Sequence, residues 1–120
     1  MKLVVKKSQI PNAGKGLFAG EEVPKGVIIG AYKGRYMNKK KFKKLKDQNY
    51  VWELNDNLYV DGKNCVKGNP LRYVNSPKGS KFKENLEAYQ YAKRIKYRTT
   101  KKVKKGEEFF IDYGDDYTFD

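Results

Sequence analysis

The chain has 120 residues, a formal charge of +13 from 27 Lys and Arg against 14 Asp and Glu, no histidine, and one cysteine, Cys65. That length gives one modest core and no room for separate catalytic and regulatory domains, so residues 1–120 are read as a single domain. The absence of histidine excludes a Ser-His or Cys-His nucleophile, a lone cysteine makes neither an internal disulfide nor a zinc cluster, and no apolar run approaches the roughly 20 residues of a membrane span.

The start, Met1-Lys2-Leu3-Val4-Val5, lacks the long apolar stretch of a signal peptide, so the chain is expected to be soluble and intracellular. Residues 3–5 and 26–32 read as strands, because β-branched residues are bounded there by Pro or Gly. Between them Pro24-Lys25-Gly26 is a turn signal. Asn38 is placed to cap a helix running through Lys46, with Phe42 and Leu45 on one face and lysines elsewhere. Residues 50–54 and 58–60 alternate around Asn55-Asp56-Asn57, the pattern of a hairpin. Residues 88–100 are predicted as one further strand, and residues 108–112 as the last.

Charge is divided as unevenly as hydrophobicity. All 27 bases and 8 of the acids lie in residues 1–105, whereas residues 106–120 carry 6 acids and no base. A cationic peptide is therefore drawn to the C-terminal end and repelled by the body. The densest basic run, residues 39–46, reads either as solvated surface or as a face for DNA or nucleosome phosphates, with Lys39, Lys40, Lys43 and Lys44 as the contacts. Pattern alone gives a mainly β domain with one short helix, and fits an oligonucleotide-binding barrel or an SH3-like barrel equally well.

Three motifs break that tie. Gly14-Lys15-Gly16-Leu17-Phe18-Ala19, then Asn69-Pro70-Leu71-Arg72-Tyr73-Val74-Asn75-Ser76, then Gly106-Glu107-Glu108-Phe109-Phe110-Ile111-Asp112-Tyr113-Gly114 occur in that order along the chain. Together they resemble the signatures of the SET-domain protein-lysine methyltransferases, in particular the minimal stand-alone SET proteins known from viruses, without pre-SET or post-SET modules. The resemblance implies a SET fold: several small curved sheets, one short helix and a C-terminal pseudoknot, in which the segment bearing Asn75 and Ser76 passes beneath the loop after the Asp-Tyr-Gly motif. It implies S-adenosylmethionine as cofactor, no metal, no membrane, and a lysine of a histone or other basic tail as substrate, with the nucleus as a place of action. A homodimer is compatible with it.

Site residues follow from the same resemblance. Lys15 and Gly16 would cradle the cofactor through backbone groups, a glycine letting the main chain approach a ligand closely. Tyr32, in Tyr32-Lys33-Gly34, would border the same pocket. Arg72, Tyr73 and Asn75 would hold the amino-acid and adenosine portions, with Ser76 contributing backbone contacts. Tyr113 would be the catalytic tyrosine, its hydroxyl orienting the sulfonium methyl. Tyr50, Ile111 and Tyr117 would line the lysine channel. The chain reads Asn75-Ser76-Pro77 where the family usually has Asn-His-Ser-Cys, and a charged insertion replaces the following Pro-Asn, with Asn85 as its echo.

Plainer readings stand beside these. Asn75-Ser76-Pro77 makes a turn in any protein, Arg72 serves as an ion-pair partner, Tyr113 as a half-buried strand residue, and Trp52 and Phe110 as core. For the whole chain the rivals are a basic β-barrel gripping nucleic acid through residues 39–46 and exposed tyrosines, and a catalytically inactive SET domain used for protein interaction. Lysine methylation suits a chain without histidine. Free lysine, with a pKa of about 10.4, is neutral in about one molecule per thousand near physiological pH. A dry tyrosine-lined channel and a cationic sulfonium both disfavour the ammonium form, so no side-chain base is required.

Overall fold

The structure is a computed structural model in which residues 1–63 and 69–112 are described. β1 (Leu3–Lys7) and β2 (Lys15–Ala19) form an antiparallel ribbon with Leu3 opposite Ala19 and Lys7 opposite Lys15. The two strands differ sharply in burial. β1 is exposed along most of its length, while β2 is buried from Gly16 onward. The C-terminal segment explains this, because it covers the other edge of β2: Phe109 N–H donates to the Leu17 carbonyl (2.7 Å) and Ala19 N–H to that of Glu107 (2.8 Å).

A second sheet has the order β3 (Ile28–Ala31), β8 (Arg94–Thr99), β7 (Leu86–Tyr91). The expected single strand over residues 88–100 is thus a hairpin. Tyr91 pairs with Arg94 across the loop Ala92-Lys93, and Ala92 adopts φ +56°. Two-residue hairpin loops need such left-handed values, normally advertised by Asn-Gly or Asp-Gly. Alanine carries no such signal, which is why the turn is silent in the sequence.

The third sheet has the order β4 (Arg35–Met37), β6 (Leu58–Asp61), β5 (Val51–Asn55), and includes the hairpin expected around residues 55–57. Against it lies the helix α1 (Lys39–Lys43), shorter than its lysine pattern suggests. Asn38 does cap it, its Oδ1 accepting from Lys41 N–H at 3.0 Å. The helix stops early because Lys44 N–H turns back to the Lys41 carbonyl (3.1 Å) and Leu45 N–H to that of Phe42 (3.1 Å), tightening the last turn. Phe42 stacks on Tyr59 with ring centroids 4.1 Å apart and planes 6° from parallel. With Leu45 it packs on a small satellite core of Met37, Val51 and Tyr59. No helix among the described residues is long and apolar enough to cross a membrane.

The main core gathers Leu17, Val60, Leu71, Leu86, Tyr97 and Phe109 from all three sheets and from the 3-10 turn Pro70–Tyr73. Residues 108–111 do not form the ladder predicted for 108–112. They touch three partners by single bridges: Phe18 with Glu108, Asn75 with Phe110, and Leu86 with Ile111. Asn85 clamps the crossing, its Nδ2 donating to the Glu108 carbonyl (2.9 Å) and its Oδ1 accepting from Phe110 N–H (2.8 Å). Ile111 N–H donates to the Asn75 carbonyl at 3.1 Å. The two distant motifs are thereby sewn edge to edge. The loop expected to complete the pseudoknot, after Asp112, lies outside the described residues.

Candidate functional site

Gly14 turns the chain into β2 with φ +71°, a value open to glycine, and so brings Lys15 to the mouth of a cleft. The 3-10 turn supplies Arg72 and Tyr73 from the opposite side, Asn75 follows it, and Tyr50 enters just before β5. These residues, with Ala13, enclose about 370 Å³, within the size range of small-molecule pockets. Asn75 fastens the walls together, its Nδ2 donating to the Lys15 carbonyl at 3.0 Å.

Arg72 dominates the electrostatics. Its guanidinium lies 4.4 Å from the Tyr50 ring centroid and 5.1 Å from that of Tyr73, a cation stacked between two aromatic faces. One terminal nitrogen donates to the Lys63 carbonyl. Its Nε is buried and has no hydrogen-bond partner among the described residues. A buried unpaired donor costs about 1–3 kcal/mol, so a ligand that accepts from it recovers that amount. Among the described residues the cleft's ionisable lining otherwise consists of Lys15 and the two tyrosines, with no carboxylate. The chemistry invited is a carboxylate or other anion beside flat or cationic groups.

Gly16 stands next to Lys15 but owes its identity to something else. A Cβ there would overlap Glu108 Oε2. Glu108 is 2% exposed, and its carboxylate accepts from Ser8 Oγ (2.6 Å) and Gln9 N–H (2.9 Å). This buried knot ties the loop before β2 to the C-terminal segment. The signal for it in the sequence is the place of Glu108 at the head of the apolar run Phe109-Phe110-Ile111, since a carboxylate buried with such a run needs partners.

The remaining expected residues are distributed differently. Tyr32 is 4% exposed and belongs to the core; it reaches the cleft indirectly, its hydroxyl donating to the Tyr50 carbonyl at 2.6 Å. Ile111 is also a buried core residue. Ser76 is half-buried beside Asn75, and its hydroxyl accepts from Lys78 N–H (3.2 Å) in a local turn. Lys39, Lys40, Lys43 and Lys44 are exposed on α1 and its C-terminal cap. Tyr113 and Tyr117 lie outside the described residues.

Near α1 two groups titrate abnormally. Hydrogen bonds from Asn49 N–H and then from Lys63, whose Nζ is 3.1 Å away, hold Asp47 below its ordinary value. Burial, followed by the charge of Glu53, pushes Tyr59 up.

Small sheets around a cleft walled by the first two motifs, with the second and third sewn together, are the SET architecture that the motifs imply. The chain belongs to the PR/SET-domain family: residues 3–119 match the model of PR domain zinc finger protein 2, PR domain. It is similar to histone-lysine N-methyltransferase set-17 of Caenorhabditis elegans, with 35% identity over 116 residues covering 94% of this chain and 41% of that protein. Among solved structures it resembles the methyltransferase domain of human PR domain-containing protein 2, with TM-score 0.71 and 25% identity over 95% of this chain and 78% of that one. It also resembles ctPRC2, from Chaetomium thermophilum, in an autoinhibited conformation bound to S-adenosylmethionine: TM-score 0.75, 27% identity, 97% of this chain and 15% of that one. The chain spans less than half the length of the curated relatives it matches.

Proposed function

We propose that residues 1–120 form one catalytic PR/SET unit, which transfers a methyl group from S-adenosylmethionine to a lysine of a protein, with histone tails as the substrate class and the nucleus as the place of action. The observation that carries this reading is the meeting of Lys15, Arg72, Tyr73 and Asn75, contributed by two motifs remote in sequence, around one cleft. The relatives' names and the cofactor-bound neighbour support it.

The residues present fit the cofactor. The unpartnered Arg72 Nε and the Lys15 ammonium suit the carboxylate of its amino-acid portion. The Tyr50 and Tyr73 rings suit its planar base and its cationic sulfur. When bound, S-adenosylmethionine supplies an electrophilic methyl group on a sulfonium. Tyr113, which follows directly on the Phe110–Asp112 crossing, is assigned to orienting that methyl against the incoming amine, with Tyr50 and Tyr117 as walls excluding water. Desolvation by those rings favours the neutral amine, and alignment supplies most of the acceleration. The exposed α1 lysines would hold the unit to DNA phosphates of its chromatin substrate.

A calorimetric titration with S-adenosylmethionine, followed by mass spectrometry of a histone peptide, tests the reading. Binding with a mass gain of one methyl group or more is expected. Absence of binding sinks both enzyme and cofactor assignments, whereas binding without turnover leaves an inactive SET domain.

A further inference from the structure

In the β7–β8 hairpin every side chain has a defined face. Leu86, Ile95, Tyr97 and Thr99 point into the core and are buried. The other face pairs Glu87 with Arg98, Tyr89 with Lys96 and Tyr91 with Arg94, and Ile28 of β3 lies opposite Arg98. Tyr91 is 66% exposed and Ile28 44%. The face therefore alternates aromatic rings with cations on a sheet open to solvent.

We propose that this outer face of the β3-β8-β7 sheet is a platform for single-stranded nucleic acid, sharing no residue with the cleft or with α1. Four observations converge on that partner. Tyr89 and Tyr91 are two residues apart on one strand, so their Cα atoms stand about 7 Å apart, a spacing at which successive unstacked bases of an extended strand meet successive rings. Both rings already hold flat or cationic groups: the Arg98 guanidinium lies 5.0 Å from the Tyr89 centroid, the Lys96 ammonium 5.5 Å from that of Tyr91. Charge favours phosphate, since Glu87, the single acid on the face, is paired with Arg98, while Arg94 and Lys96 have no ion pair among the described residues. Finally, the hairpin is held in place, the Tyr36 hydroxyl donating to the Lys93 carbonyl at 2.6 Å, so little ordering is needed on binding.

Aromatic platforms on an open sheet grip unstacked bases, and basic residues beside them track the backbone. A duplex hides its base faces from such a surface. α1 offers the opposite combination, because its one aromatic side chain, Phe42, is stacked against Tyr59 and only lysines face outward. The sheet face thus selects single strands, and α1 selects phosphates of any form.

The test is fluorescence anisotropy of the full chain with a labelled oligothymidine of about 12 nucleotides, and with a duplex of the same length, across salt. Single-strand binding tighter than duplex binding is expected. Tyr91→Ala should weaken it by about five- to hundredfold, the range for one missing base stack, while Tyr91→Phe retains it. Replacing Arg94 and Lys96 by Gln should lower the salt slope by about 0.7 for each phosphate no longer neutralised. Because Tyr91 is largely exposed, its variants should melt with the parent, and histone-peptide methylation should be unchanged. No single-strand binding at about 100 µM chain, the weak end of non-specific affinity, overturns the proposal. So does an unaffected Tyr91→Ala, equal affinity for the duplex, or competition by polyglutamate as strong as by unlabelled oligothymidine.

Discussion

Arg72 shows how one side chain turns a sequence motif into a site. A lysine at that position keeps the charge but loses the planar stack between Tyr50 and Tyr73 and the nitrogen fork. Arg72→Lys should weaken cofactor binding at least about tenfold, the worth of one charge-assisted hydrogen bond, with melting little changed; calorimetry giving equal affinities would remove Arg72 from the cofactor site. Gly16 makes the complementary point, since its missing Cβ leaves room for a buried carboxylate rather than for a ligand. Gly16→Ala should expel Glu108 from Ser8 and Gln9 and cost about 1.5–3 kcal/mol in denaturant unfolding. The same substitution in a Glu108→Ala background should cost far less. Additive losses in that double-mutant cycle would mean that the two positions do not share the space.

Among elements, α1 and its partner strand carry the clearest pH signature. Tyr59 is 4% exposed, donates its hydroxyl to Glu53 at 3.2 Å and has its pKa raised, first by burial and then by the Glu53 charge. A raised pKa means that the folded state holds the phenolic proton more tightly than the unfolded chain does. The stability it contributes is complete below the ordinary tyrosine value, about 10, and is lost as pH climbs through the folded-state value. Unfolding by urea should therefore show stability falling above about pH 10, and Tyr59→Phe, which keeps the stack on Phe42, should flatten that fall. An identical alkaline slope in parent and variant would assign the loss to other groups. The β7–β8 hairpin teaches something different at this scale. Its turn rests on Ala92 at φ +56°, so the cross-strand pairing of β7 with β8, not a turn signal, sets its register.

Taken as a whole, the chain joins a basic body, residues 1–105, to an acidic C-terminal stretch, residues 106–120. If the site has no general base, supply of neutral lysine limits the reaction. The rate at saturating cofactor should then rise from neutrality toward about pH 9, tracking deprotonation of the substrate amine. Neutralising Asp115, Asp116 and Asp120 to Asn should raise the KM for a basic peptide, an effect fading with salt. A rate independent of pH between about 7 and 9, with methyl transfer rate-limiting, would contradict the deprotonation scheme.

The local chemistry was legible in the sequence. Asn38 announces its helix cap, the alternation of residues 50–60 its hairpin, and the three motifs their family, because caps, periodicity and motif spacing depend on neighbours a few residues apart. Long-range contact decided the rest. Whether Gly16 faces a ligand or Glu108, whether Tyr32 and Ile111 line a pocket or fill the core, and whether residues 108–111 form a ladder or single bridges all depend on chain segments tens of residues away. A buried carboxylate, a glycine opposite it and an asparagine clamping two strands are each ordinary residues in isolation. Their roles exist only once the fold brings them within hydrogen-bonding distance, and no local pattern encodes that distance.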